Sequence, residues 1–232
     1  MKSPNQESIE ENRYERKFLV SNSSQQEVER IIKYNPAFFS EIFYKRRVNN
    51  LYLDSEEKHN YFDNVDGNVQ RLKIRIRWYG NLFGFIENPI LELKIKNGEV
   101  GRKIAFPLKS FSLNEDFSKE SLWKIFDKSS LPSDIKEILR ACIPSLLNSY
   151  QRKYFISYNK KYRITLDDDL IFFEIKSQGN FFNYKREEKD IVILELKYNL
   201  DNDLNAQNIT QYFPFRLTKS SKYVSGVDLL NF

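Results

Sequence analysis

Cysteine and histidine each occur once, at Cys142 and His59. A single cysteine excludes an intramolecular disulfide and a cysteine-based zinc site, and suits a reducing compartment. A single histidine excludes chemistry resting on a His pair, and His59 falls in Ser55-Glu56-Glu57-Lys58-His59-Asn60-Tyr61-Phe62, which reads as helix surface rather than as a catalytic base. No apolar run approaches the length of about 18 residues that a membrane helix needs. The leading residues are polar and acidic instead of basic and then apolar, so no secretion signal is read there. The expectation is a soluble, cytoplasmic protein.

Glycine is scarce too, at 7 residues against 14 Tyr and 19 Phe. With 41% hydrophobic content and 15% aromatics, this describes a folded, strand-rich chain that buries much ring area. Its 37 basic residues exceed its 32 acidic ones by only +5, too little for a generic nucleic-acid coat. The aromatics fall on the apolar side of the strands rather than on a base-stacking platform, so no nucleic-acid partner is expected. Acids gather at Glu7, Glu10 and Glu11 and around Glu187, Glu188 and Asp190, which lets a local basic cavity sit inside a modest total.

The most informative segment is Gln70-Arg71-Leu72-Lys73-Ile74-Arg75-Ile76-Arg77-Trp78-Tyr79-Gly80. As a strand it places Arg71, Lys73, Arg75 and Arg77 on one face and Leu72, Ile74, Ile76 and Trp78 on the other. Successive members of the basic row stand about 7 Å apart, so the row repels itself unless acids or phosphates lie between the rungs. Read alone, it is equally an amphipathic edge strand with a solvated face; several further segments repeat the design.

Residues 1–12 read as a disordered lead and 13–232 as a single domain. Arg13 to Val20 is a first strand with Arg13, Glu15 and Lys17 on one face. A helix capped by Ser23 or Ser24 follows, carrying Val28, Ile31 and Ile32 and stopping at Pro36. A second strand runs from Lys45 to Leu53, then a short helix over Glu56 to Phe62. Leu91–Lys96 and Val100–Phe106 flank Asn97-Gly98, a hairpin signal that sets Lys96 opposite Glu99, Lys94 opposite Gly101 and Glu92 opposite Lys103. It also turns Lys103, not Arg102, toward any charged interior. Helices are read after Ser118 or Ser121 and after Ser133, ending at Pro144. Strands follow at Tyr150–Tyr158, Lys161–Asp167, Leu170–Ile175 and Asp190–Tyr198, with a helix near Asn205–Tyr212 and a last short one at the end. A tight turn at Asn159-Lys160 sets Arg152 opposite Asp167 and Tyr154 opposite Thr165, with Arg163 on the same face.

About eight hairpin-connected strands, each with one charged and one apolar face, cannot form a sandwich with two oily inner faces. The expected fold is α+β: an antiparallel, eight-stranded closed β-barrel, a tunnel with a polar, basic lumen and helices packed outside.

Arg13-Tyr14-Glu15-Arg16-Lys17-Phe18, Ile74-Arg75-Ile76-Arg77-Trp78-Tyr79-Gly80, Leu91-Glu92-Leu93-Lys94 and Ser220-Ser221-Lys222-Tyr223 resemble the VTC domain. That is the catalytic domain of the vacuolar transporter chaperone polyphosphate polymerase, within the triphosphate tunnel metalloenzyme (CYTH-like) superfamily. The resemblance runs from about residue 13 to the end. It implies transfer of the terminal phosphoryl group of a nucleoside triphosphate, such as ATP, to a growing inorganic polyphosphate, with Mn2+ or Mg2+. By motif, Lys17, Arg75, Arg77, Lys94, Lys103, Arg152, Arg163, Lys219 and Lys222 resemble the family's phosphate-binding bases. Tyr150 and Ser221 resemble further phosphate contacts. Glu195 resembles the metal-binding glutamate, with Glu15 and Glu92 as further candidates. A membrane partner receiving product is a further expectation.

Phosphoryl transfer is mainly positioning and charge stabilisation, so fixed Arg and Lys with one metal suffice without a His or Cys nucleophile. Arg13 stands where the hydrolytic branch of the superfamily carries its first glutamate, which favours the polymerase. A metal-dependent triphosphatase or tripolyphosphatase and a non-catalytic polyphosphate-binding module are the alternatives. Glu92 and Glu195 have a second reading as counter-charges to Lys103 and Lys197, Asp167 reads as a salt-bridge partner of Arg152, and Arg71 and Lys73 belong to the tunnel mouth or to solvent.

Overall fold

The computed structural model describes residues 8–10, 13–98, 100–176 and 179–230. Strand β1 (Ser8–Glu10) precedes β2 (Arg13–Val20), so part of the lead expected to be disordered is paired strand; residues 1–7 and 11–12 lie outside the described residues. Helix α1 (Gln25–Lys33) starts at Ser24, whose Oγ accepts from the Glu27 N–H while the Glu27 carboxylate accepts from the Ser24 N–H at 2.7 Å, a closed capping box. Strand β3 (Ser40–Asp54) begins before the expected Lys45, and α2 (His59–Val65) lies slightly later than expected.

The basic row forms β4 (Gln70–Tyr79), followed by a short β5 (Gly84–Ile86), then β6 (Ile90–Asn97), β7 (Val100–Pro107) and β8 (Phe111–Leu113). Helices α3 (Lys119–Lys128) and α4 (Ser133–Arg140) lead into β9 (Ile143–Ile156), β10 (Tyr162–Phe173), β11 (Lys185–Glu188) and β12 (Val192–Asn199). Two last helices, α5 (Asp203–Thr210) and α6 (Lys222–Leu230), complete the chain. Ser118 caps α3, but Pro132 precedes α4 with no side-chain cap. Pro144, expected to end a helix, sits near the start of β9 opposite Leu53, beside a register shift at Tyr52/Leu53 that absorbs its missing donor. The two strands expected over residues 161–175 are one, β10, with its register shifted between Asp168 and Ile171 where Asp169 takes φ +51.

All the ladders are antiparallel, and the main sheet runs β1-β7-β6-β4-β3-β9-β10-β12-β2, with β11 on the far half of β10 and β5-β8 as a separate pair. The expected strands fall on its eight longer members, two of them merging in β10. No pairing among the described residues joins β2 to β7 and closes the ladder, but β1 on β7 and β2 on β12 are consecutive in the chain.

The β6–β7 hairpin departs from its expected register. Asn97 pairs with Val100, Lys94 with Lys103 and Glu92 with Ala105, because Gly98, at φ +63, takes the first loop position in place of Asn97. Glu99 lies outside the described residues. The shift is an even number of residues, so every side chain keeps its expected face.

Apolar packing lies on both sides of the sheet. One cluster joins Leu51, Ile74, Ile76, Trp78 and Leu93 to α3 and α4, and a second joins Phe18, Ile164, Leu194 and Leu196 to α1 and α5. The third corrects the expectation that all helices pack outside. Tyr223, Val227 and Leu230 of α6 bury against Tyr52, Leu146, Tyr150 and Ile193, on the charged face of the sheet. Gly226 permits this approach: a Cβ there would stand 2.5 Å from Leu146 Cδ2 and 2.6 Å from Phe172 Cδ1.

Candidate functional site

Alternation in β4 buries Ile74, Ile76 and Trp78 on one side and turns Lys73, Arg75 and Arg77 to the other. The cross-strand rows on that side are set by register. Arg75 lies opposite Tyr52 and Glu92; Lys73 opposite Lys94, itself opposite Lys103; Arg152 opposite Asp167; and Lys17 opposite Glu195, itself opposite Thr165. Six of the nine matched bases, on β2, β4, β6, β7 and β9, thus converge on this face, and Lys222 of α6 joins them through Asp167 and Glu195.

Three acids hold most of them. Glu92 accepts from Arg75 Nε at 2.8 Å and Nη2 at 2.6 Å, from Lys103 at 3.2 Å, and lies 3.5 Å from Arg77. Asp167 binds Arg152 through two bonds of 2.5 and 2.6 Å and Lys222 at 2.6 Å. Glu195 stands 3.3 Å from Lys17, 3.0 Å from Lys197, 3.7 Å from Lys222 and 3.9 Å from Arg152. Burial pushes the Glu195 carboxyl up, but Lys17, Lys197, Lys222 and Arg152 overcome it and hold the group well below the usual carboxylate range. Glu92 is held low in the same way, by Arg75, Arg77 and Lys103 against its burial.

Glu15 reaches across from β2 to β6 and accepts from Lys94 Nζ at 2.9 Å with each oxygen. Lys17 lies 3.7 Å from Glu15 and donates to the Ser220 carbonyl at 3.3 Å, tying β2 to the segment before α6. Tyr150 supplies a ring under Arg152, at 5.1 Å, and Lys222, at 4.8 Å, while its hydroxyl accepts from Arg77 at 3.3 Å. Ser221 Oγ accepts from Lys73 Nζ at 2.8 Å.

Arg163 and Lys219 stand apart from this convergence. Both are exposed; Arg163 holds its expected face at the end of β10, opposite Lys197. The three candidate metal ligands also divide, since Glu92 is held by the β4 and β7 bases while Glu15 and Glu195 share Lys17. No group of three or more His, Cys, Asp or Glu side chains among the described residues is placed to hold a metal ion. Two carboxylates on one face, Glu195 and Glu15, still fit a magnesium-type ion, which takes one or two carboxylates and completes its shell with water and phosphate oxygens.

Several participants lay outside the expected set. Asn50 accepts from Arg77 Nε at 2.9 Å and donates to Asn148 at 2.9 Å, so two buried amides orient that guanidinium. Asp167 fastens α6 through Lys222 as well as pairing Arg152. Lys73 belongs to the site, not to solvent. The alternation in β4 carried the signal for Lys73, whereas the neutral amides of β3 and β9 carried none.

A VTC domain family model matches residues 12–231. The chain belongs to the VTC domain family. No curated protein matches the VTC chain by sequence. Among solved structures it is similar to HpAC1 from Hippeastrum, described as a candidate adenylyl cyclase with a dominant triphosphatase activity, at 11% identity and a TM-score of 0.53 over 94% of this chain and 96% of that one. A candidate adenylate cyclase from Vibrio parahaemolyticus is similar at 10% identity and a TM-score of 0.49, over 92% and 98%. At such identities the Hippeastrum structure speaks for the fold of the VTC chain alone.

Proposed function

We propose that this VTC domain is a polyphosphate polymerase, moving the terminal phosphoryl group of a nucleoside triphosphate such as ATP onto inorganic polyphosphate inside a basic tunnel. The observation that carries this reading is the convergence of Lys17, Arg75, Arg77, Lys94, Lys103, Arg152 and Lys222 on one face. Fixed cations from several elements match a substrate with charge along its length. Closure into a tunnel is supported by the Glu15–Lys94 contact across the sheet and by the adjacency of β1 and β2 in the chain.

In this reading Arg75, Arg77 and Arg152 clamp phosphate oxygens, and Lys17, Lys94, Lys103 and Lys222 act as point charges, with Arg163 and Lys219 as outlying contacts. Glu195, with Glu15, would hold Mn2+ or Mg2+. A bound ion supplies charge neutralisation at the phosphates. No helix among the described residues is long and apolar enough to cross a membrane. The proposed setting is cytoplasmic, with a membrane-embedded partner receiving the polymer.

Hydrolysis is the second reading, favoured by the triphosphatase activity of the Hippeastrum protein on a similar fold. Incubation with ATP and Mn2+, resolved by gel electrophoresis, separates the two. A polymer ladder supports the polymerase, orthophosphate without polymer supports the triphosphatase, and neither product with retained binding leaves a binding module. Arg75→Ala is the matched control.

A further inference from the structure

Lys73, Lys94 and Lys103 lie directly opposite one another across β4, β6 and β7, three ammonium groups in one row. Like charges in such a row repel unless each has a counter-charge. Lys94 has Glu15 and Lys103 has Glu92. Lys73 donates to the neutral Ser221 hydroxyl, and no described acid is within ion-pair distance of it.

Four cations stand close to Lys73, two of them, Lys94 and Lys17, paired to Glu15. Arg71 and Arg75 flank it on β4, Lys17 faces it from β2 and Lys94 from β6. Arg71 keeps a buried Nε with no hydrogen-bond partner. The acid at the end of β3, Asp54, is engaged elsewhere: it accepts from the Tyr223 hydroxyl and from the backbone N–H groups of Asn60 and Tyr61. Ser221 is itself fixed, its Oγ accepting from the Val224 N–H at 3.4 Å.

We infer that Lys73 is a phosphate-binding residue beyond the family-matched set, and that it takes up a proton when the polyanion arrives. The inference rests on the triphosphate-handling reading above. Burial, with Lys17, Lys94, Arg75 and Arg71 nearby, pushes the Lys73 ammonium down to about 7. An incoming phosphate supplies the missing counter-charge and returns the group to its protonated form; the proton comes from solvent and is held on Nζ.

The test is calorimetric titration of inorganic tripolyphosphate into the full chain at pH 8, in two buffers of different ionisation enthalpy. Wild type is expected to take up close to one proton more per ligand bound than Lys73→Arg, which stays charged throughout. Lys73→Met, which never carries the proton, is expected to lose the uptake and to bind several-fold more weakly. Equal proton uptake by wild type and both variants, with binding intact, overturns the inference and leaves the triphosphate reading standing. Absence of tripolyphosphate binding by wild type overturns both.

Discussion

Arg152 and Asp167 face each other across β9 and β10 in a two-bond ion pair, with Asp167 fully buried and also engaged by Lys222 from α6. One carboxylate therefore fixes two cations of the candidate site that are distant in sequence. Burying charge is tolerable here because each group has a partner, and removing that partner strands the others.

Asp167→Asn keeps the size of the side chain and removes its charge. It is expected to destabilise the fold by about 3–5 kcal/mol, the usual result of stranding a buried ion-pair partner, as read from urea unfolding. Tripolyphosphate, which supplies negative charge near the same cations, is expected to raise the variant's Tm more than that of wild type.

Arg75→Ala and Arg163→Ala separate convergent from outlying bases. Arg75 is held in position by Glu92, whereas Arg163 is exposed. Loss of an oriented charge donor is expected to reduce turnover about 100- to 1,000-fold at Arg75. At Arg163 the loss is expected to stay below about tenfold, in line with an exposed charge. Steady-state rates on ATP with Mn2+ check the comparison, and equal losses would contradict the placement of Arg163.

Which of these relations can be read from sequence depends on the physics that sets them. Alternation fixes faces, so the placement of Arg75, Arg77 and Arg152 on one face was legible, and the Asn159-Lys160 turn set the Arg152–Asp167 register. At Asn97-Gly98-Glu99 two loop placements share the same residues, and the neighbours of Lys94 and Glu92 came out wrong although their faces did not. The seating of α6 on the charged face is a tertiary choice. Tyr223, Val227 and Leu230 make an apolar stripe that suits either side of a sheet, and the space at Gly226, the Lys222–Asp167 ion pair and the Tyr223–Asp54 hydrogen bond decide it.

Acid is expected to unfold the protein through its depressed glutamates. The folded-state pKa values of Glu195 and Glu92 lie well below the ordinary glutamate value of about 4.3, so their contribution is complete above that pH and is lost as pH falls through the lower folded values. Tm should therefore fall on acidification below about pH 4.3. Glu195→Gln should show a lower Tm at neutral pH and a shallower acid limb; an acid limb as steep as that of wild type would remove Glu195 from this role.

Gly226→Ala should unseat α6. The added Cβ meets Leu146 and Phe172, both fully buried, so about 1–3 kcal/mol of stability is expected to be lost. Because Ser221 and Lys222 travel with the helix, tripolyphosphate affinity should fall as well. Retained affinity at reduced Tm would show that α6 positions neither residue.

Arg75 on β4 and Lys222 on α6 come from distant parts of the chain, and the account requires them to act on one polyanion. Calorimetric titration of inorganic tripolyphosphate into wild type, Arg75→Ala, Lys222→Ala and the double variant measures this directly. One ligand per chain, with each substitution weakening the same binding event, is the expected result. Wild-type affinity in both single variants, or two independent sites each lost with one residue, would contradict a shared phosphate channel.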